Sequence, residues 1–139
     1  MHADFFNPKF VYHSPVHSDE LVASGILTRN RVAAHVDHAI AALNAADGSE
    51  PRFAGDARVE YLNPIARPET FRIDLWVEEL SDWSCTYGFI CSSEDGLLAY
   101  ARGERTVVNV DPASQRPSRW NAAFRVAHES LLRELPAYA

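Results

Sequence analysis

Along this chain the spacing of apolar positions moves from a period of two to one of 3.6 and back, and each change marks an element. Lys9 to Ser14 reads as a first strand, with residues 2 to 8 (HADFFNP) before it as an arm carrying two phenylalanines to bury. A turn-rich acidic loop, His17 to Gly25, then runs into a long helix. Val32, Val36, Ala39, Ile40 and Leu43 recur on one face of it, while Ala33, Asp37 and Ala41, four apart, form a second ridge. The small side chains of that ridge let another surface approach closely. Thr28 is the expected N-cap, its hydroxyl placed to accept from a free N–H of the first turn. Roughly eighteen residues at about 1.5 Å each give a helix of about 27 Å, long enough to cross a sheet.

Turn residues from Asn44 to Pro51 end the helix, and a short strand is expected over Ala57 to Ile65, broken at Ala66 to Pro68. Phe71, Ile73, Leu75 and Val77 alternate with Arg72, Asp74, Trp76 and Glu78, the signature of a half-buried antiparallel strand. Ser81-Asp82 turns the chain into a strand with Trp83, Cys85, Tyr87, Phe89 and Cys91 on one face, and Glu94-Asp95-Gly96 closes a hairpin. Leu97 to Val110 is the longest predicted strand, with Gly103 a bulge or a point of close approach. A Pro-bearing linker, Asp111 to Ser118, leads to a last helix from Arg119 to Leu135, capped by Ser118. Trp120, Phe124, Ala127, Leu131 and Leu135 make its apolar stripe, and Glu129 and Arg133 sit four apart on its polar side. The order β-α-β-β-β-β-α is an α+β arrangement, and the 139 residues suit a single domain, its core about 9–117.

Composition narrows the function classes. A hydrophobic fraction of 47% with 23% charged residues is that of a globular protein, and the net charge of −6 argues against nucleic-acid or anionic-membrane partners. Lys9 is the only lysine. Arginine's planar fork suits phosphate recognition, although a GC-rich genome produces the same bias. Without an export signal or an apolar run of membrane-spanning length, a cytoplasmic location is expected. Cys85 and Cys91 lie in one predicted strand, about 20 Å apart by strand rise, too far for a disulfide, and are expected as free thiols.

Chemistry-bearing residues are few. His17, His35 and His38 lack the Cys or carboxylate spacing of a metal site and read as surface or interface histidines, so no metal is expected. Ser14, Ser18 and Ser24 lack the glycine-flanked elbow of a serine hydrolase. Asp37 reads either as a solvated helix residue or as a functional carboxylate.

The helix, followed by ARVEYLNPIARPETFRIDLWVEEL and then DGLLAYARGERTVVNVDPASQRP, resembles the hotdog-fold thioesterases over roughly Phe10 to Pro117. That resemblance implies an antiparallel sheet wrapped around a central helix, here with an additional C-terminal helix, and subunits paired as homodimers or further as tetramers. It also implies acyl-CoA or acyl-carrier-protein thioesters as substrates, with coenzyme A present only as part of the substrate and no other cofactor.

Two branches suggest different acids. One resembles 4-hydroxybenzoyl-CoA thioesterase of the pseudomonad type, with a catalytic Asp-x-Asp-x-x-Gly loop. Counted back from Gly25 without a gap, its two acids fall on Glu20 and Val22, and a shifted register brings in Asp19 or Glu20. The other resembles phenylacetate-pathway thioesterases, with Gly-x-Leu-His-Gly-Gly before the helix. There Gly25-Ile26-Leu27 matches, Thr28-Arg29-Asn30 replaces His-Gly-Gly, Ala33, Ala34 and Ala39 match small residues, and Asp37 falls on the catalytic acid. Asp37 is the first choice. The resemblance further implies that the thioester carbonyl rests on backbone N–H groups around Arg29 and Asn30. Arg67, Arg102 and Arg105 are candidate contacts to the phosphates of coenzyme A. A non-hydrolytic module that binds acyl thioesters, or only pairs subunits, is the alternative. A hydratase lacks its Asp…His motif here.

Overall fold

The computed structural model describes residues 9–21, 24–45 and 55–133. The expected N-terminal arm, the turn from 46 to 51 and the end of the last helix from 134 lie outside these residues. Five strands, β1 (Phe10–Pro15), β2 (Ala57–Tyr61), β3 (Thr70–Leu80), β4 (Ser84–Ser93) and β5 (Ala99–Val108), form one antiparallel sheet in the order β1-β3-β4-β5-β2. The first two strands thus lie at opposite edges. The segment joining them, α1 (Arg29–Ala45), carries the chain across the sheet's inner face.

That crossing is written in the helix's apolar face. Val32, Val36, Ala39 and Ile40 are buried against Phe71, Ile73, Leu75 and Val77 of β3 and Tyr87, Phe89 and Cys91 of β4. Alternation along β3 and β4 turns these residues inward and leaves Arg72, Asp74, Glu78 and Thr86 on the outer face, where Arg72 pairs with Asp74 and Arg102 with Glu60. Thr28 caps α1 as expected, its Oγ1 accepting from Arg31 N–H at 3.4 Å and its carbonyl from Val32 N–H at 3.0 Å. Gly103 is a point of close approach: a Cβ there would strike the Arg58 carbonyl on the neighbouring strand.

Three boundaries differ from expectation. The second strand ends at Tyr61 because the N–H groups of Leu62 and Asn63 both turn to the Tyr100 carbonyl, which breaks the ladder before Pro64. The strand after the hairpin starts at Ala99, since Leu97 and Leu98 are held in the turn by Asp95 and Ser93. The last helix, α2, covers only Ala122–Glu129. Its cap is Asn121, which accepts from Phe124 N–H at 2.8 Å, because Ser118 and Trp120 spend their N–H groups on the carbonyls of Asn109, just past β5, and Asp82, in the β3–β4 turn. Beyond it the chain straightens, and Leu131 and Arg133 bond both polar groups of Val77, on the flank of β3 that β1 has already left. Trp120, Phe124 and His128 stack ring on ring, at 3.8 and 3.6 Å between centroids, and seat α2 on the sheet.

Candidate functional site

The start of α1 presents open backbone donors. With Thr28 satisfying Arg31 and Val32, the N–H groups of Arg29 and Asn30 have no acceptor among the described residues. They sit at the positive end of a 17-residue helix. Leu27 N–H donates to the Ile65 carbonyl at 2.8 Å, which ties the approach to α1 to the loop leaving β2. Between these two segments lies a mostly apolar cavity of about 250 Å³, walled by Ile26, Leu27, Arg29, Tyr61, Leu62 and Pro64. Ile26 and Leu62 keep about 40% of their surface exposed at its edge, an apolar patch next to free donors.

Arg29, Ala33, Asp37 and Ala41 follow one ridge of α1 at intervals of four. Arg29 stands over the Tyr61 ring, 5.0 Å from its centroid, and Asp37 reaches Arg105 of β5. The ridge therefore faces the β5–β2 side, the same side as the cavity. Arg105 Nε donates to Asp37 Oδ1 at 3.0 Å and a second nitrogen reaches Oδ2 at 3.5 Å, while the third donates to the Gly55 carbonyl at 2.9 Å. The fork of Arg105 is thus turned toward Asp37.

Glu20 lies on the other flank of the helix. One of its oxygens accepts from His17 N–H at 2.9 Å, closing the 3₁₀ turn Ser18–Leu21, and the other meets His35 Nε2 at 2.8 Å. Burial acts to raise the Glu20 carboxyl, but the His17 N–H, His35 and the charge of Arg31 together hold it below its ordinary value. An ionised Glu20 can only accept, so His35 Nε2 carries a proton, while Nδ1 meets the Ser14 hydroxyl 2.6 Å away. Ser14, His35 and Glu20 thus form a continuous chain. Ser14 is 2% exposed, so the chain offers no accessible nucleophile; it pins the acidic loop and β1 to α1. Residues 15 and 21 positions apart carry these contacts, and no local spacing announces them.

The remaining candidates are dispersed. Asp19 is exposed on the 3₁₀ turn. Arg67 is exposed on the loop after β2 and pairs loosely with Glu69 at 3.6 Å. Arg102 projects from the outer face, in a two-pronged pair with Glu60. Cys85 and Cys91 are buried free thiols, both pushed up to about 12 by burial, and so inert at neutral pH. Among the described residues no group of His, Cys, Asp and Glu has the arrangement of a metal site, and no helix is long and apolar enough to cross a membrane.

No protein-family model and no curated protein sequence matches the chain. Solved structures do. A 1,4-dihydroxy-2-naphthoyl-CoA thioesterase from Synechocystis superposes with a TM-score of 0.77 at 12% identity, covering 89% of this chain and 98% of that one. A DHNA-CoA thioesterase from Staphylococcus aureus gives 0.72 at 20% identity, with 88% and 87% covered. A further S. aureus protein, solved in complex with CoA, gives 0.77 at 12% identity, with 94% and 89% covered. At these identities the likeness is one of fold. The chain has the hotdog fold: a five-stranded antiparallel sheet around a central helix, with a second helix at its C-terminal end.

Proposed function

We propose that the protein is an acyl-CoA thioesterase in which water, activated by Asp37, attacks a thioester carbonyl held at the start of α1. The observation that carries this reading is the coincidence of an apolar cavity with the unclaimed N–H groups of Arg29 and Asn30, on the side of the helix that also carries Asp37. The carbonyl oxygen accepts from those N–H groups, where the helix dipole favours the negative charge that develops on it. Asp37 takes a proton from water as the water oxygen bonds to the carbonyl carbon. When the tetrahedral intermediate collapses, the carbon–sulfur bond breaks and the proton returns to the leaving thiolate, giving a free acid and coenzyme A. Arg105 holds the Asp37 carboxylate in place, with Nε 3.0 Å from Oδ1. Solved proteins of the same fold act on or hold CoA compounds, which supports the substrate class. Exposed Arg67 is the first candidate for the CoA phosphates, and Arg102 the second.

Within one chain Asp37 stands about 12 Å along the helix from its first turn. A homodimer closes that gap. β2 is an open sheet edge, and joining two such edges about a two-fold axis lays the two α1 helices antiparallel, the acid of one toward the helix start of the other.

A second reading has one observation in its favour: the fork of Arg105 already engages Asp37, as it would in a module that binds acyl thioesters without cleaving them. Thiol release from a panel of short, long and aromatic acyl-CoAs separates the two. Turnover is the expected result; saturable binding with no thiol released would replace the enzyme by the binding module.

A further inference from the structure

Three tyrosines on the inner side of this fold have buried or half-buried hydroxyls, and two of them are partnered. The Tyr87 hydroxyl meets His128 Nε2 at 2.6 Å, and that of Tyr100 donates to Glu69 at 2.6 Å. The Tyr61 hydroxyl is shut off from solvent and bonds to nothing among the described residues. Buried polar groups without a partner are rare in folded proteins, because the group gives up its hydration and receives nothing in return. A phenylalanine of the same shape would fold at lower cost.

The position of the ring gives the orphan a use. Tyr61 lines the 250 Å³ cavity at the helix start and also a smaller void of about 10 Å³, bounded by Leu27, Val32, Asn63, Ile65, Cys91 and Tyr100 among others. That void is at the lower limit for one water. No hydrogen bond holds the ring in place. Its exposed face is covered by the Arg29 guanidinium, a contact that rotation of the ring would release.

We propose that Tyr61 is the specificity residue of this cavity: its ring gates the inner void, and its hydroxyl is reserved for an oxygen carried on the acyl group of the substrate. The preferred acyl group is short or cyclic, in keeping with the cavity's volume, and bears a hydroxyl or carbonyl at the end remote from the thioester. On binding, the ring turns out of the void, cavity and void merge, and the phenol exchanges an empty surrounding for a hydrogen bond. A site with a polar group waiting to be paired discriminates against a ligand that leaves it unpaired. This inference rests on the reading of the cavity as an acyl-thioester site.

The test uses matched pairs of acyl-CoAs that differ by one oxygen: hexanoyl against omega-hydroxyhexanoyl, and benzoyl against meta-hydroxybenzoyl. Each is made as its amide analogue, with nitrogen in place of the thioester sulfur, so that binding is read whether or not the protein hydrolyses. The wild type should bind the oxygenated member of at least one pair about tenfold more tightly. Tyr61→Phe should bind both members alike and melt roughly 2–6 °C higher, having lost the orphan group. An equal or reversed preference in the wild type overturns the proposal, as does a preference that survives in Tyr61→Phe. A lower melting temperature in that variant overturns it too, by showing the hydroxyl already partnered. Failure of every analogue to bind overturns the acyl-thioester reading itself, and this inference with it.

Discussion

Asp37 and Glu20 are both held by basic partners, and each pairing is tested by a different measurement. The Glu20 carboxyl is held below its ordinary value in the fold, so the stability it contributes is complete above the unfolded value of 4.5 and is lost as pH falls through the lower folded one. Urea titrations at descending pH should therefore show Glu20→Gln losing less stability than the wild type between about pH 5 and pH 3; parallel curves would mean that the carboxyl is not engaged. Arg105→Leu removes the fork from a half-buried Asp37 and should cost about 1–2 kcal/mol, read as a lower urea midpoint with an unchanged slope. Gly103→Ala should be far worse, about 3 kcal/mol or more, because the added carbon meets the backbone of the adjacent strand. Gly103 and Asp37 could be singled out from the sequence, one by its place in a strand and the other by its place on a ridge and the resemblance. The Ser14–His35–Glu20 chain and the orphan hydroxyl of Tyr61 could not, since both exist only where distant segments meet.

Periodicity works best for elements buried on one continuous face. It located α1 and its Thr28 cap, and the alternation of β3 and β4, because burial of those faces is what keeps them regular. α2 shows where it fails. Trp120 and Leu131 continue the apolar stripe of a long helix, but both lie beyond the ends of the actual one, drawn away by backbone bonds to Asp82 and Val77. A stripe records which residues are buried and leaves open whether the backbone between them is helical. The short helix is secured chiefly by its rings. Phe124 is fully buried between Trp120 and His128, so Phe124→Ala should cost about 3–5 kcal/mol and release α2. Hydrogen exchange would then accelerate in α2 and at Val77, whose N–H bonds Leu131, ahead of the strands at the centre of the sheet. Uniform protection across the molecule would contradict that account.

At the scale of the whole molecule, the fold divides its polar chemistry between two flanks of one helix. The flank over β1 carries the Glu20 chain, turned inward and saturated; the flank over β5 and β2 carries Arg29, Asp37, the cavity and an open sheet edge. On the proposed reading the second flank is the one completed by another subunit, so light scattering should report a dimer. A monomer that retained full turnover would place the reaction within one chain. The most direct test of the account is thiol release at saturating acyl-CoA from the wild type and from Asp37→Asn, Glu20→Gln and Asp19→Asn, each checked for an intact oligomer. The account predicts that Asp37→Asn lowers kcat by roughly a hundred- to ten-thousand-fold, while the two loop variants stay within a few-fold of the wild type. Undiminished turnover in Asp37→Asn, with the loss falling on Glu20→Gln or Asp19→Asn, would contradict it and move the chemistry to the other side of the helix.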